Sequence, residues 1–148
     1  MNYFDEYYLG AFRKFATFSG RARRKEYGWF CVFSFIVGLI LGIIDVLVFG
    51  DTDGIFNIIY SLVVFIPGLA ILVRRLHDFG KSGWFVLVMI LAPSISFVIA
   101  GFLGESSLAV LFMIIGLALL IYFNLLPIFK KGDEGDNAYG SDPKALNL

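Results

Sequence analysis

Residues 55–103 read IFNIIYSLVVFIPGLAILVRRLHDFGKSGWFVLVMILAPSISFVIAGFL. Two apolar runs, Ile55 to Val73 and Trp84 to Leu103, flank a short basic connection. Each run is close to the ~20 residues that carry a helix across ~30 Å of hydrocarbon at ~1.5 Å per residue. Hydrocarbon offers no water to backbone N–H and C=O groups, so such runs must be helices rather than open strands. The stretch therefore reads as a helical hairpin whose basic turn lies at a membrane surface.

The same pattern recurs on either side. Tyr27 to Phe49 and Leu108 to Phe129 are also apolar, so four spans of 19 to 23 residues are expected at 27–49, 55–73, 84–103 and 108–129. Hydrophobic residues make up 59% of the 148 and charged residues 16%, against roughly 45–50% and about 25% in soluble domains. A soluble fold of this size could not bury so much apolar surface. The expected fold class is an all-α membrane protein of four transmembrane helices, forming one membrane unit over residues 1–148. Pro67, Pro93 and Pro127 fall inside spans and are expected to kink them. No signal peptide or lipidation motif is expected from the first residues or from the Asn147-Leu148 end.

Charge gives the hairpins a direction. Arg13, Lys14, Arg21, Arg23, Arg24 and Lys25 precede the first span, and Arg74, Arg75 and Lys81 lie in the middle connection. Lys130, Lys131 and Lys144 follow the last span, which accounts for all 12 basic residues. The two outer turns carry only Asp51, Asp53 and Glu105. By the positive-inside rule both termini and the middle connection are expected in the cytoplasm of a bacterial inner-membrane protein. Outer turns this short leave no room for a folded domain on the other side.

Residues 1–20 read as a separate element. Phe4, Tyr8, Ala11, Phe12, Phe15 and Phe18 recur at spacings of three and four, with Asp5, Glu6, Arg13 and Lys14 between them. That pattern is expected to form an amphipathic helix, lying in the membrane interface or packing on the end of the bundle.

Few polar groups lie inside the spans. Asp45 is the only acid there. An acid in a span is a functional candidate. Its place, about 7 Å from the turn at Gly50, instead suggests a hydrogen bond to Asn57 that joins the first two helices. Gly38 and Gly42 form a small-xxx-small pair suited to close helix contact, within one chain or between two. Asn124 is expected to hydrogen-bond a neighbouring helix. Cys31 lies in an apolar run and reads as a small buried hydrophobe.

Three polar segments converge on the basic side: Gly20-Arg-Ala-Arg-Arg-Lys-Glu-Tyr-Gly-Trp-Phe30, Arg74-Arg-Leu-His-Asp-Phe-Gly-Lys-Ser-Gly-Trp84 and Gly135-Asp-Asn-Ala-Tyr-Gly-Ser-Asp-Pro143. Arg21, Arg23, Arg24, Arg74, Arg75 and Lys81 are donors at headgroup depth, and arginine matches phosphate geometry. Trp29 and Trp84 suit interface anchors. Arg74 and Asp78 are four apart and would pair if the second helix runs past the membrane. Gly80 then suits a helix stop and Ser82 a cap for the next helix. His77, the only histidine, could titrate near neutral pH. Asn137, Tyr139 and Asp142 complete the set.

Catalytic patterns are missing. There is no GxSxG, HExxH or phosphate-loop motif, and the acids of the tail lack EF-hand spacing. One histidine and one cysteine are too few for a zinc site. No catalytic set, metal, cofactor or nucleic-acid partner is expected.

Together the three segments resemble a bacterial inner-membrane family catalogued as domain of unknown function 805. The resemblance runs from about Tyr3 to Pro143, and RRLHD…SGW is its most specific element. Gly28 and Lys25 stand where the family often has a tryptophan and a serine, and Phe85 follows Trp84. The resemblance implies a four-helix inner-membrane protein and supplies no activity. The expected role is a non-enzymatic envelope protein whose cytoplasmic face binds anionic lipid, a protein partner or a second copy. The alternative is a small transporter or channel subunit built around Asp45 and Asn57.

Overall fold

The structure is a computed structural model that describes residues 2–50 and 54–145. Asp51 and Asp53 of the first outer turn, and the Asn147-Leu148 end, lie outside the described residues. A π-helical turn, Phe4–Leu9, continues into the short helix α1, Gly10–Arg13. Four long helices follow: α2, Arg24–Phe49; α3, Ile55–His77; α4, Phe85–Leu103; and α5, Ser107–Phe129. All four are long and apolar enough to cross a membrane.

The helices form two antiparallel hairpins, α2 with α3 and α4 with α5. Each hairpin has its own internal contact. Within the first, the Asp45 carboxylate accepts the N–H groups of Phe56 (3.0 Å) and Asn57 (3.1 Å). It thus caps the first turn of α3, where backbone donors are unsatisfied and the helix dipole favours an anion. Asn57 is the partner expected, but it is met through its backbone rather than its side chain. Its carboxamide lies over Gly42, where a Cβ would stand 3.0 Å from its nitrogen. Gly38 and Gly42 therefore serve helix packing inside this chain. Within the second hairpin, the Phe97 ring fills the space beside Gly116.

α3 runs one turn beyond Val73, so Arg74, Arg75 and His77 are helical rather than in a loop. Cations at a helix C-terminus oppose the dipole and favour this extension. The end is a Schellman closure: Lys81 N–H donates to the Leu76 carbonyl (3.0 Å) and Gly80 N–H to that of His77 (3.2 Å). Gly80 takes φ +71°, which a side chain would resist. Ser82 does not cap α4 through its side chain. Trp84 is the cap residue and carries no side-chain cap bond, while the Ser82 carbonyl accepts Phe85 N–H at 3.0 Å. Pro67, Pro93 and Pro127 all lie inside helices that continue through them.

Two apolar clusters hold the basic end. Leu76, Phe79 and Val86 pack with Leu69, Leu72 and Leu126, joining α3 to α4 and α5. Tyr8, Ala11, Ala22, Phe30 and Ile71 form the other. The N-terminal element thus packs on α2 with the face that the sequence marks as apolar. Tyr8 is buried and shares a hydrogen bond with Tyr60 (2.8 Å), whose hydroxyl donates to the Ser34 carbonyl at 3.2 Å. Trp29 lies against Tyr3 and Phe33. Phe15 and Phe18 follow the end of α1 and remain exposed.

Candidate functional site

The antiparallel hairpins bring the start of α2, the end of α3 and the segment after α5 to one end. The three sequence motifs meet there. Arg75 lies at the centre and is fully buried. Its Nε donates to the Pro127 carbonyl at 2.7 Å, one of its terminal nitrogens to the Lys130 carbonyl, and the other to the Asp78 carboxylate. These carbonyls belong to the last turn of α5 and the residue after it, where acceptors are orphaned and the dipole is negative. A guanidinium, with five donors in a planar fork, suits that position and could not be replaced by a lysine point charge.

Asp78 is the counterion of a second arginine. Arg21 Nε donates to it at 3.0 Å, with both side chains buried. The remaining nitrogens of Arg21 donate to the carbonyls of Asp133 (2.7 Å) and Gly135 (2.6 Å). The Asp78 carbonyl accepts Asp133 N–H at 2.7 Å. Gly132 passes directly over this carboxylate, and a Cβ on it would lie inside the Asp78 side chain. The tail is thus threaded through the arginine–aspartate cluster. A buried ion pair survives in a low dielectric only when its remaining donors and acceptors are met, as they are at Arg21, Arg75 and Asp78.

His77 acquires a structural use. Its Nδ1 lies 3.1 Å from the Gly20 carbonyl, an acceptor only, so this nitrogen carries the proton. Its ring stacks on Tyr139, with centroids 3.9 Å apart and planes within 5°. Its carbonyl accepts from Asn137 Nδ2 at 2.9 Å. Asn137 Oδ1 accepts Tyr139 N–H (2.9 Å), and the Asn137 and Gly140 backbones exchange hydrogen bonds at 3.1 Å. The Asn-x-Tyr-Gly element is therefore a tight turn that presents Tyr139 to His77. Asp142 supports the turn by accepting N–H bonds from Lys144 (2.9 Å) and Gly135 (3.2 Å). Those donors, led by Lys144, hold its carboxyl below the ordinary 3.8.

Arg74 departs from the expected pairing. Its Nη1 meets Glu26 of α2 at 3.0 Å, and Asp78 is taken by Arg21 and Arg75. Arg74 lies on α3 one turn before Asp78, but each side chain finds a partner on a different element. Arg23 donates to the Pro143 carbonyl, so the end of the tail is tied to the start of α2. Arg24 contributes a long contact (3.5 Å) to the Phe129 carbonyl. Lys81 and Lys130 stand apart from the cluster. Their ammonium groups lie over the rings of Phe85 (5.6 Å) and Phe79 (4.8 Å), and no carboxylate among the described residues pairs with either. Trp84, at the start of α4, is 78% exposed.

Asp45 and Asn57 are at the opposite end of the helices, close to the turn between α2 and α3. Asn124 bonds within its own helix, to the Leu120 carbonyl at 2.8 Å, rather than to a neighbour. Cys31 is half-buried. Sequence reasoning missed Glu26, Asp133 and Gly132. Glu26 is quoted within the first motif, and its spacing from Arg74 gives no hint of contact. Gly132 is one of 16 glycines, and only the approach of Asp78 marks it out.

Comparison with known proteins gives the chain a family. The family model described as protein of unknown function (DUF805) matches residues 15–141, which include the first two motifs and the third as far as Ser141. The inner membrane protein YhaI of Escherichia coli K12 is 34% identical over 139 residues, covering 94% of this chain and 96% of the relative. The inner membrane protein YhaH of the same strain is 31% identical over 142 residues, covering 94% and 97%. No solved structure matches.

Proposed function

The chain belongs to the family of proteins of unknown function described as DUF805, and on that premise we propose that it is a non-enzymatic organising protein of the bacterial inner membrane. Its basic end faces the cytoplasm and binds anionic lipid headgroups there. One observation carries this reading. The side chains of Arg21, Arg75, Asp78 and His77 find their partners inside the protein, while Lys81 and Lys130 meet no carboxylate among the described residues and Trp84 at the same end is exposed. Cations held by aromatic rings at headgroup depth, with an interfacial tryptophan at the same end, form a surface for lipid phosphate. The buried cluster fixes the positions of these cations and does not itself reach lipid. His77 is committed to Gly20 and Tyr139, which argues against its use as a general base. Asp45 is committed to the first turn of α3, which argues against an ion pathway.

Lipid retained through purification tests the reading. Wild type should carry more phosphatidylglycerol and cardiolipin than the Lys81→Gln/Lys130→Gln variant. At about 1 kcal/mol per surface cation, the double variant should bind anionic vesicles roughly tenfold more weakly or worse. Equal binding by both proteins would refute the proposal.

A further inference from the structure

A cleft of about 620 Å³ separates the two hairpins within the span region. Its walls come from α3, α4 and α5, with Tyr27 of α2 at one side. The Leu76, Phe79 and Val86 cluster joins the hairpins at the basic end and borders the cleft there, since Leu69, Leu72, Val86 and Met89 belong to both. The cleft contains no charged side chain.

Its polar residues are unusual. Away from the helix ends, the exposed serine and carboxamide side chains among the described residues of the four spans are Ser61, Ser94 and Asn124. All three line this cleft. Side chains that face hydrocarbon are normally apolar, and polar ones turn toward protein, water or a ligand. Ser94 and Asn124 each make one bond to a carbonyl of their own helix, to Ile90 and Leu120. That leaves the Asn124 oxygen, its second N–H and the hydroxyl lone pairs facing the cleft. The Ser61 side chain makes no hydrogen bond among the described residues. At about 1.5 Å per residue, the three lie roughly 7, 13 and 24 Å from the basic end, in the order Asn124, Ser94, Ser61. They form a staggered, uncharged polar line along apolar walls.

We propose that this cleft is a binding site for a neutral ester lipid of the diacylglycerol type. Its ester and hydroxyl groups meet Asn124 and Ser94, the two nearest the basic end, and its chains lie against the phenylalanine and leucine walls and pass Ser61. The absence of any charged lining residue disfavours an ionised headgroup, which in hydrocarbon needs a counter-charge. This site is separate from the lysine surface and does not depend on it.

A photoactivatable diacylglycerol tests the proposal in membranes that contain the full-length protein. A phosphatidylglycerol with the same chains forms the second arm. Diacylglycerol should label peptides of α4 and α5 in the wild type. Ser94→Trp fills the cleft from an exposed position and should cut labelling about tenfold, the equivalent of ~1.4 kcal/mol. Ser61→Ala/Asn124→Leu keeps the volume and removes polar groups, and should weaken labelling as well. Leu91→Trp, exposed on α4 outside the cleft, should leave it unchanged. Equal labelling of the wild type and Ser94→Trp overturns the proposal, as does stronger labelling by the phosphatidylglycerol. A dimer on native gels that Ser94→Trp dissolves, with no lipid adduct, would assign the cleft to a second copy and also overturn it. The lysine variant Lys81→Gln/Lys130→Gln should label like the wild type, which separates this site from the headgroup surface.

Discussion

Arg75 illustrates how one side chain can close several elements at once. Its guanidinium satisfies the end of α5, the start of the tail and the Asp78 carboxylate. Removing it leaves Asp78 buried with a single cation and α5 with orphaned carbonyls. Arg75→Ala should therefore destabilise the protein by about 3–5 kcal/mol, the range for breaking a buried pair on one side. Gly132→Ala should also lower the melting temperature, because its Cβ falls within the Asp78 carboxylate. Lys131→Ala removes only an exposed ion pair with Glu134 and should leave the melt unchanged. Fluorescence-detected size exclusion after heating in detergent reads all three. An Arg75→Ala melt equal to that of Lys131→Ala would contradict this account. The sequence placed Arg21, Arg75, His77 and Asp78 on one membrane face by the distribution of charge. It did not reveal that their partners are mostly backbone carbonyls, since every residue carries one and no side-chain pattern marks which are orphaned. Arg74 was misread for a related reason: a spacing of four permits a pair, but burial next to Glu26 decided the partner.

At the scale of elements, the spans were legible because lipid imposes both their length and their apolar character. Their ends were less so. The extension of α3 to His77 rests on the Schellman closure at Gly80 and on contacts made by the tail, and neither is visible in hydropathy. The N-terminal helix shows the same limit. Its aromatic period was clear, but whether the face meets lipid or α2 depends on Tyr60, a residue more than fifty positions away. The tail turn is held by the stacking of Tyr139 on His77 and by polar bonds that include the Asp142 carboxylate, so it responds to pH. The folded carboxyl of Asp142 titrates below its ordinary 3.8. Its contribution is therefore complete above the unfolded value and is lost as pH falls through the lower, folded one. Amide resonances of Gly135 and Lys144, which donate to it, should hold their positions from neutral pH to about pH 5 and shift only in more acid solution. A midpoint at or above 3.8 would contradict the assignment. Asp142→Asn should broaden or shift the same signals at neutral pH.

For the whole molecule, the two hairpins are bound to one another chiefly at the basic end, by the Leu76 cluster and by the arginines that grip the tail. The positive-inside pattern made that end recognisable, but the charges that set topology and the charges that hold the fold proved to be partly the same residues. The segment after Lys131 is made after the four helices, and it supplies the carbonyls of Asp133 and Gly135 on which Arg21 depends. Until residues 132–140 have left the ribosome, a nascent chain carries the four helices with Arg21 short of these two carbonyls. Loss of this segment is therefore expected to loosen the basic end and expose the chain to proteolysis. A chain that stops after Lys131 should insert normally and then disappear faster than the full-length protein in a pulse-chase experiment. Equal lifetimes would show that the hairpins hold together without the tail.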